Sequence, residues 1–282
     1  MLSAQTHPLT ANPSQPFSPQ PFSCQTDPTV PNSPMSVRTP QPTALPPLQG
    51  LDIQSRYHSA RTGGDFFDAI ILGPHLVFLL TDIAGSRSSA HTIAACAQDT
   101  FRSRAPELFG TPGTNLTDAI STLAHNINGT LISTTNGVCF APTFLACFDL
   151  TLNILTYINA GGQPAIFRDT DGTRPLPNTC MPLGLFSLLT FEPGIEAFEP
   201  GALLLLVTKG IIEVRSGRTP FGPERVTQLL ENSNTHSALD LCQAIIEQAH
   251  QFTRPPWYNL AKQTFTKPTR TEDLTAVALV RQ

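Results

Sequence analysis

Two aspartates near the start of the apolar part of the chain have the types and spacing to do chemistry. Asp65 follows a glycine pair in the stretch Gly63-Gly64-Asp65-Phe66-Phe67-Asp68, and Asp82 follows the apolar run 76–80 and precedes Gly85. Two carboxylates placed at strand ends beside glycine turns can bind Mg²⁺ or Mn²⁺, which prefer oxygen ligands. The alternative from these residues alone is that both aspartates accept hydrogen bonds from local backbone N–H groups.

The elements that must position these carboxylates follow from hydrophobic periodicity and turn residues. We predict strands at 54–61, 66–72, 76–81, 143–150, 153–159, 164–168, 191–198, 202–208 and 274–280, and helices at 86–104, 115–133, 221–231 and 238–252. The second helix can be capped by Asn115 or Thr117, and the segments 191–198 and 202–208 are expected to pair with each other. This order of elements predicts an α+β sandwich of two antiparallel sheets flanked by helices.

Composition limits the classes of protein that this chain can belong to. Its 282 residues carry a net charge of −4, which does not favour a general nucleic-acid binder, and 40% of them are hydrophobic, enough for a core. No apolar run approaches the length of a membrane span, and the start lacks the pattern of a signal peptide. The six cysteines have no CxxC spacing, so we expect reduced thiols in a cytoplasmic protein.

Residues 1–50 differ in composition from the rest of the chain. They contain 12 of the 27 prolines and only two charged residues, Asp27 and Arg38. Such a segment buries too little apolar surface to offset the entropy of ordering, so we predict a disordered proline-rich tail at 1–50 and a folded domain at 51–282. Four Pro-x-x-Pro sequences in the tail suit polyproline II ligands, while a plain linker is the alternative.

A series of motifs in fixed order resembles a known family. The motifs are Gly63-Gly64-Asp65-Phe66-Phe67-Asp68, Thr81-Asp82-Ile83-Ala84-Gly85, Asn159-Ala160-Gly161-Gly162-Gln163-Pro164, Pro182-Leu183-Gly184-Leu185, Pro200-Gly201 through Glu213, Phe221-Gly222-Pro223-Glu224-Arg225 and Glu272-Asp273-Leu274-Thr275. They resemble, in order, the motifs of SpoIIE-type (RsbU-like) phosphatases, the bacterial branch of the PPM metal-dependent protein serine/threonine phosphatases. One motif would be weak, whereas the ordered set covers about residues 54–281.

The resemblance implies a fold, a cofactor and a set of site residues. The family fold is a β-sandwich in which Mn²⁺ or Mg²⁺ ions lie between two sheets and activate a water that attacks phosphoserine or phosphothreonine. Carried over, Asp65 and Asp82 are catalytic metal ligands, with Asp82 bridging the ions. The backbone carbonyl of Ile83 adds a ligand, and Glu272 stands where the family has an aspartate.

Two positions depart from the family pattern. Lys209 stands where the family has a ligand aspartate, and Gly162 stands where it has a histidine. An ammonium has no lone pair, so Lys209 cannot bind a cation, and we expect one ion or two with the second site weakened. Lys209 can instead neutralise Asp82 and Glu272 and contact a phosphate, while the alternative is an exposed loop lysine.

Three functions therefore stand open. The first is a metal-dependent phosphatase, slowed by Lys209, acting on a phosphorylated regulatory protein of the anti-sigma-factor-antagonist type. The second is a pseudophosphatase that binds such a partner without turning it over, and the third is recruitment through the proline-rich tail. The resemblance also allows a homodimer. The basic and aromatic segment 254–270 suits an RNA or phosphoprotein contact, although a surface loop is its alternative.

Overall fold

The computed structural model describes residues 39–41, 43, 45–58, 64–83, 87–137, 139–253 and 273–282. Several predicted features lie outside these residues: the stretch 1–38 of the predicted tail, the basic and aromatic segment 254–270, the predicted ligand Glu272, and the motif residues Gly63, Ala84 and Gly85. The sheets and helices of the fold belong to the described residues.

Two antiparallel sheets form the centre of the fold, as the sequence predicts. Sheet 1 contains, from edge to edge, β1 (Leu51–His58), β12 (Leu274–Arg281), β9 (Leu203–Val207), β6 (Ala165–Asp169) and β7 (Gly172–Pro175). Sheet 2 contains β2 (Asp65–Leu72), β3 (His75–Asp82), β4 (Thr143–Asp149), β5 (Ile154–Ala160) and β8 (Gly194–Ala197). A short ribbon of β10 (Arg215–Ser216) and β11 (Thr219–Pro220) lies outside both sheets.

Helices cover the outer face of each sheet. The apolar faces of α1 (Arg87–Phe109) and α2 (Leu116–Thr135) pack on sheet 2, and those of α3 (Lys209–Glu213), α4 (Pro223–Asn232) and α5 (Ala238–Thr253) pack on sheet 1. Asn115 caps α2, because its side-chain oxygen accepts the N–H of Thr117 at 3.1 Å. No helix in the described part of the chain has the length and apolarity needed to cross a membrane.

The central strands are apolar on both faces because each face has a partner. In β3, Leu76, Phe78 and Leu80 join the core between the sheets, while Val77 and Leu79 face α1 and α2. Strand β9 divides its leucines in the same way between the interior and the helices of sheet 1. Continuous apolar runs are typical of strands covered on both sides, so these runs place β3 and β9 in the middle layers.

One predicted pairing is wrong. The segments expected to form a hairpin belong to different sheets, since β8 pairs with β5 and β9 lies between β12 and β6. The strand predicted at 191–198 is also shorter, covering Gly194–Ala197. Between β8 and β9 the chain crosses from one sheet to the other, with the Phe198 ring buried in the interior core. Adjacency in sequence therefore did not decide which sheet each of these strands joins. The link between them instead buries Phe198 between the two sheets.

The other predicted elements are present with shifted ends. Strand β1 covers Leu51–His58 where 54–61 was predicted, and α1 continues to Phe109, beyond the predicted end at residue 104. The helical turn α3 was not predicted, since its five residues are too few for a periodic pattern. Within the described residues, none of the five cysteines forms a disulfide, and the predicted reduced state in a cytoplasmic protein stays a prediction.

Contacts with the domain begin ahead of residue 51. Leu45 and Leu48, from the segment predicted as tail, pack against the core between the sheets. The backbone N–H of Gln282 donates to the carbonyl of Gly50 at 3.1 Å, which joins this segment to the end of the chain. The predicted domain boundary at residue 51 stays a prediction, and these contacts show that residues before it take part in the packing.

Candidate metal centre and active site

Asp65 and Asp82 lie opposite each other where β2 begins and β3 ends. They are paired residues in the antiparallel register of the two strands, so their side chains leave the same face of sheet 2. Two backbone bonds hold this end of the sheet: Ile83 N donates to Gly64 O at 3.2 Å, and Asp82 N donates to Pro142 O at 3.0 Å. The structure therefore brings together the two aspartates that the sequence singled out.

The carboxylate of Asp65 joins the two sheets. Its Oδ2 accepts a hydrogen bond from Thr208 Oγ1 at 2.7 Å and another from Thr275 Oγ1 at 2.6 Å. Thr208 follows β9 and Thr275 lies in β12, so both donors come from sheet 1. The two threonines are themselves bonded, because Thr275 N donates to Thr208 Oγ1 at 3.1 Å. Asp65 is thus fixed in the cleft between the sheets.

These two threonines were not predicted from the sequence. Thr208 lies within the motif Pro200-Gly201 through Glu213, just before Lys209, and Thr275 ends the motif at 272–275. Threonine is common in strands, so its type alone carries no signal for a role at a site. The available signal was position, since both threonines stand at strand ends within the ordered motifs.

The electrostatics of the site favour a cation. Burial raises the pKa of Asp65 well above its ordinary value, and the nearby charge of Asp82 raises it further. The hydroxyl bonds from Thr275 and Thr208 oppose this rise, while the more distant Asp273 adds to it. Two carboxylates that repel each other in a buried cleft are stabilised in their charged form by a positive ion between them.

The donor set agrees in part with a site for a divalent metal. Asp65 and Asp82 supply carboxylate oxygens, and the carbonyl oxygen of Ile83 lies so near Gly64 that a Cβ there would stand 2.2 Å from it. Mg²⁺ and Mn²⁺ take such oxygen ligands. No group of three His, Cys, Asp or Glu side chains that could hold a metal is found within the described residues. Further ligands must come from water, from substrate, or from residues such as Glu272 that lie outside that part of the chain.

The backbone of Lys209 lies next to the site, while its ammonium group is on the exposed side of α3. It directly follows Thr208 and begins α3. Its side chain is 61% exposed, and its Nζ lies 3.2 Å from Glu213 Oε1, one turn along the same helix. The described ion pair of Lys209 is therefore with Glu213, and its predicted role beside Asp82 and Glu272 stays a prediction.

The motif that contains Gly162 supports the end of β9. Gln163 Nε2 donates to Val207 O at 3.1 Å, and Asn159 Nδ2 donates to Gln163 O at 3.0 Å. Both side chains are buried. Val207 is the residue before Thr208, so this loop fixes the strand end from which Thr208 reaches Asp65. The sequence analysis noted the missing histidine at Gly162 but gave no role to Gln163.

Asp68, the second aspartate of the first motif, lies away from the carboxylate pair. Side chains alternate between the two faces of a strand, so residues three positions apart lie on opposite faces. Asp68 therefore points toward α1, while Asp65 points into the cleft. It is completely buried and bonds to Arg102 Nε at 2.7 Å and Gln98 Nε2 at 2.9 Å. Asp68 is therefore an anchor between β2 and α1, a role that the sequence analysis did not assign.

A pocket of about 420 Å³ opens beside Asp65. The residues that line it are Thr39, Pro40, Gln41, Thr43, Ser55, Tyr57, Asp65, Phe66, Phe67, His91 and Thr275. Its volume lies within the range of about 300 to 1,000 Å³ that is common for ligand sites. A second pocket of about 500 Å³ lies between α4 and α5, among residues such as Arg225 and Gln248, away from the carboxylates.

Known proteins similar to this chain include two bacterial relatives. Protein IcfG of Synechocystis sp. (strain ATCC 27184 / PCC 6803 / Kazusa) is 26% identical over 213 residues, covering 67% of this chain and 33% of IcfG. Phosphoserine phosphatase RsbP of Bacillus subtilis (strain 168) is 22% identical over 166 residues, covering 58% of this chain and 40% of RsbP. The chain thus matches well under half the length of either relative.

A solved structure and a family model also match this chain. The PP2C phosphatase domain of the cell fate determinant SpoIIE from Bacillus subtilis superposes with a TM-score of 0.63 at 16% identity, covering 82% of this chain and 63% of that one. This likeness shows the fold. The family model of Stage II sporulation protein E (SpoIIE) matches residues 73–280, which include Asp82 and Lys209 and begin after Asp65. The chain therefore belongs to the SpoIIE family of PPM-type phosphatase domains.

Proposed function

We propose that this chain is a metal-dependent protein phosphatase domain that removes phosphate from phosphoserine or phosphothreonine of a regulatory protein, at a rate lowered by Lys209. The observation that carries this proposal is that Asp65 and Asp82 are cross-strand neighbours on one face of sheet 2, in a cleft between the two sheets. Its expected partner is a phosphorylated protein of the anti-sigma-factor-antagonist type. Membership of the SpoIIE family supports a phosphatase function.

The residues of the chain have distinct tasks in this proposal. Asp65 and Asp82 would hold Mn²⁺ or Mg²⁺ together with the Ile83 carbonyl, and such an ion supplies a more acidic bound water and a counter-charge for phosphate. Thr208 and Thr275 keep the Asp65 carboxylate in one orientation through hydrogen bonds to its Oδ2. Because Thr208 follows β9 and Thr275 lies in β12, the separation of the two sheets at this end sets the width of the cleft.

The test compares metal binding with turnover in the full chain. Calorimetric titration with Mn²⁺ should give binding that Asp65→Asn and Asp82→Asn abolish, and hydrolysis of p-nitrophenyl phosphate should depend on Mn²⁺ and vanish in both variants. Asp171→Asn, in the exposed β6–β7 turn, is the matched control and should leave both readouts unchanged. Mn²⁺-dependent hydrolysis that survives Asp82→Asn would refute the proposed site.

A second function, binding of a phosphorylated partner without turnover, is favoured by one specific feature. Lys209 and Gly162 replace two residues of the family pattern, and a lysine at a ligand position removes an acceptor and adds a positive charge. Under this alternative the protein would bind Mn²⁺ and a phosphoserine peptide, yet show no hydrolysis of either peptide or p-nitrophenyl phosphate. Measurable Mn²⁺-dependent turnover by the wild-type chain would exclude it.

A further inference from the structure

The segment just ahead of the domain is tied to a buried carboxylate. Asp68 Oδ1 accepts the hydroxyl of Thr43 at 2.6 Å, the backbone N–H of Ala69 at 2.9 Å and Arg102 Nη2 at 3.1 Å. Charge-assisted bonds to a fully buried carboxylate are stronger than ordinary hydrogen bonds. Thr43 is therefore held to β2 by an anchor that solvent does not reach.

A second contact fixes the backbone of the same segment. The side-chain amide of Gln98 makes two bonds with Gln41: its Nε2 donates to Gln41 O at 2.8 Å, and its Oε1 accepts Gln41 N at 2.6 Å. Strand β2 is an edge strand of its sheet. Sheet edges are commonly covered by a neighbouring segment, and residues 39–41 and 43, here called the strap, lie along this one.

The strap also forms a wall of the pocket beside Asp65. Thr39, Pro40, Gln41 and Thr43 line one part of it, and Ser55 and Tyr57 of β1 line another. Asp65 lines the same pocket, so the wall and the carboxylate of Asp65 share one cavity. The strap lies ahead of residue 73, where the family match begins, so this wall is contributed by sequence outside the matched region.

The chemistry of the lining indicates what it can hold. Among the described residues that line the pocket, Asp65 is the one Asp, Glu, Lys or Arg; the others offer hydroxyls, an amide, an imidazole, a proline and aromatic rings. No Lys or Arg among these residues can pair with a phosphate, so the lining suits the uncharged part of a substrate. Hydroxyls and amides suit the backbone and uncharged side chains of a peptide, and a wall fixed in advance lowers the entropy lost on binding.

We propose that the strap forms one wall of a subsite that binds the uncharged residues next to the phosphoserine of a protein substrate. The subsite rests on the proposed function, since it places the phosphoserine at the Asp65–Asp82 pair. The strap thereby selects protein substrates over small phosphate esters, which have no flanking residues to place in the pocket.

The test measures peptide binding separately from turnover in the full-length chain. The probe is a fluorescein-labelled phosphoserine peptide with alanine and glutamine flanks, and its Kd is measured by fluorescence anisotropy in Mn²⁺. Thr43→Val and Gln98→Met each remove strap bonds while nearly keeping side-chain size, and should raise this Kd by about fivefold, the effect of a hydrogen bond or two. The kcat/KM of Gln98→Met for p-nitrophenyl phosphate should stay within about twofold of wild type, because Gln98 is not among the residues that line the pocket.

Thr227→Val is the matched control, because its hydroxyl bonds to Pro223 O within α4, far from the strap. It should change neither value. A peptide with glutamate flanks should bind the wild-type protein at least about fivefold more weakly, since the described residues of the lining include a carboxylate and no Lys or Arg. Equally tight binding of that peptide would overturn the assignment of uncharged flanks.

The outcomes separate the subsite from the proposed function. An unchanged peptide Kd in both strap variants, or an equal loss of peptide binding and p-nitrophenyl phosphate turnover, would overturn the subsite. If the wild-type chain hydrolyses neither substrate, the proposed catalysis fails, while a strap-dependent peptide Kd still supports the subsite. If it binds no phosphoserine peptide at all, the subsite is wrong whatever the turnover.

Discussion

Replacing Lys209 with aspartate tests the most unusual feature of the site. The change restores a carboxylate next to Thr208, whose hydroxyl lies 2.7 Å from Asp65 Oδ2. It also removes the ion pair with Glu213, whose two side chains are 61% and 47% exposed, so the loss of stability should be no more than about 0.5 kcal/mol. An effect on metal binding can therefore be measured in a folded protein.

The magnitude comes from the change of charge at the cation. A unit charge about 4 Å away in a medium of effective dielectric about 20 is worth roughly 4 kcal/mol. Because the side chain at position 209 is exposed, water and salt screen most of this interaction energy, and we take about a third of it as the effective value. That leaves about 1.4 kcal/mol, or tenfold, in the Kd for Mn²⁺ and in the rate of Mn²⁺-dependent hydrolysis.

The assay is Mn²⁺ calorimetry together with hydrolysis of p-nitrophenyl phosphate by wild type, Lys209→Asp and Lys209→Met. The methionine variant removes the positive charge without adding a ligand, so it separates relief of repulsion from metal coordination. We expect the order Asp, then Met, then wild type for both affinity and rate. Equal values for Lys209→Asp and Lys209→Met would refute coordination at this position, and no change in either would refute any effect of Lys209 on the site.

Three further predictions concern residues around the carboxylates. Asp65→Asn should raise the melting temperature of the metal-free protein near neutral pH and abolish its rise on addition of Mn²⁺, because it removes a buried charge repelled by Asp82. Asp68→Ala should lower the free energy of unfolding in urea by about 3 kcal/mol, because Arg102 and Gln98 lose their shared acceptor. Gly64→Ala should weaken Mn²⁺ binding by at least about tenfold in calorimetry, because the new Cβ would meet the Ile83 carbonyl.

The first of these also predicts a pH dependence. The pKa of the Asp65 carboxyl is raised in the folded protein, so the protonated form is the one that folding favours. The stability that it contributes is complete below the unfolded-state pKa and is lost as pH rises through the folded-state pKa. Metal-free wild type should therefore lose melting temperature over that window while Asp65→Asn does not, and parallel curves for the two proteins would contradict this.

Controls for the other two are changes of the same type elsewhere in the chain. Asp169→Ala removes a carboxylate that is 14% exposed, but its partner Arg174 is 40% exposed and keeps its ion pair with Glu196, so the change should cost about 1 kcal/mol. Gly129→Ala lies at an exposed position of α2, outside the β2–β3 hairpin, where a Cβ meets nothing, and should leave Mn²⁺ binding unchanged. An Asp68→Ala protein as stable as Asp169→Ala, or a Gly64→Ala protein that binds Mn²⁺ like wild type, would show that these contacts contribute little.

The sequence by itself predicted the layers of the fold and singled out the two aspartates that the structure brings together. Apolar residues at every second position indicate strands, and apolar residues at every third or fourth position indicate helices, because both patterns follow from local geometry. The ordered motifs then placed Asp65 and Asp82 at strand ends. Their pairing across β2 and β3 follows from the short turn between them, since a tight hairpin fixes the register of its strands. The capping of α2 by Asn115 was predictable for the same local reason.

Only the tertiary structure decided which distant residues meet Asp65. Thr208 and Thr275 lie 143 and 210 positions further along the chain, and they reach Asp65 because the two sheets stack and their strand ends coincide. The tertiary structure also places β8 and β9 in different sheets. Asp68 bonds to Gln98 of α1, and Thr43 of the strap bonds to Asp68 at the edge strand β2. Local sequence preferences act over a few residues, whereas these contacts depend on how two whole layers bury their apolar faces together.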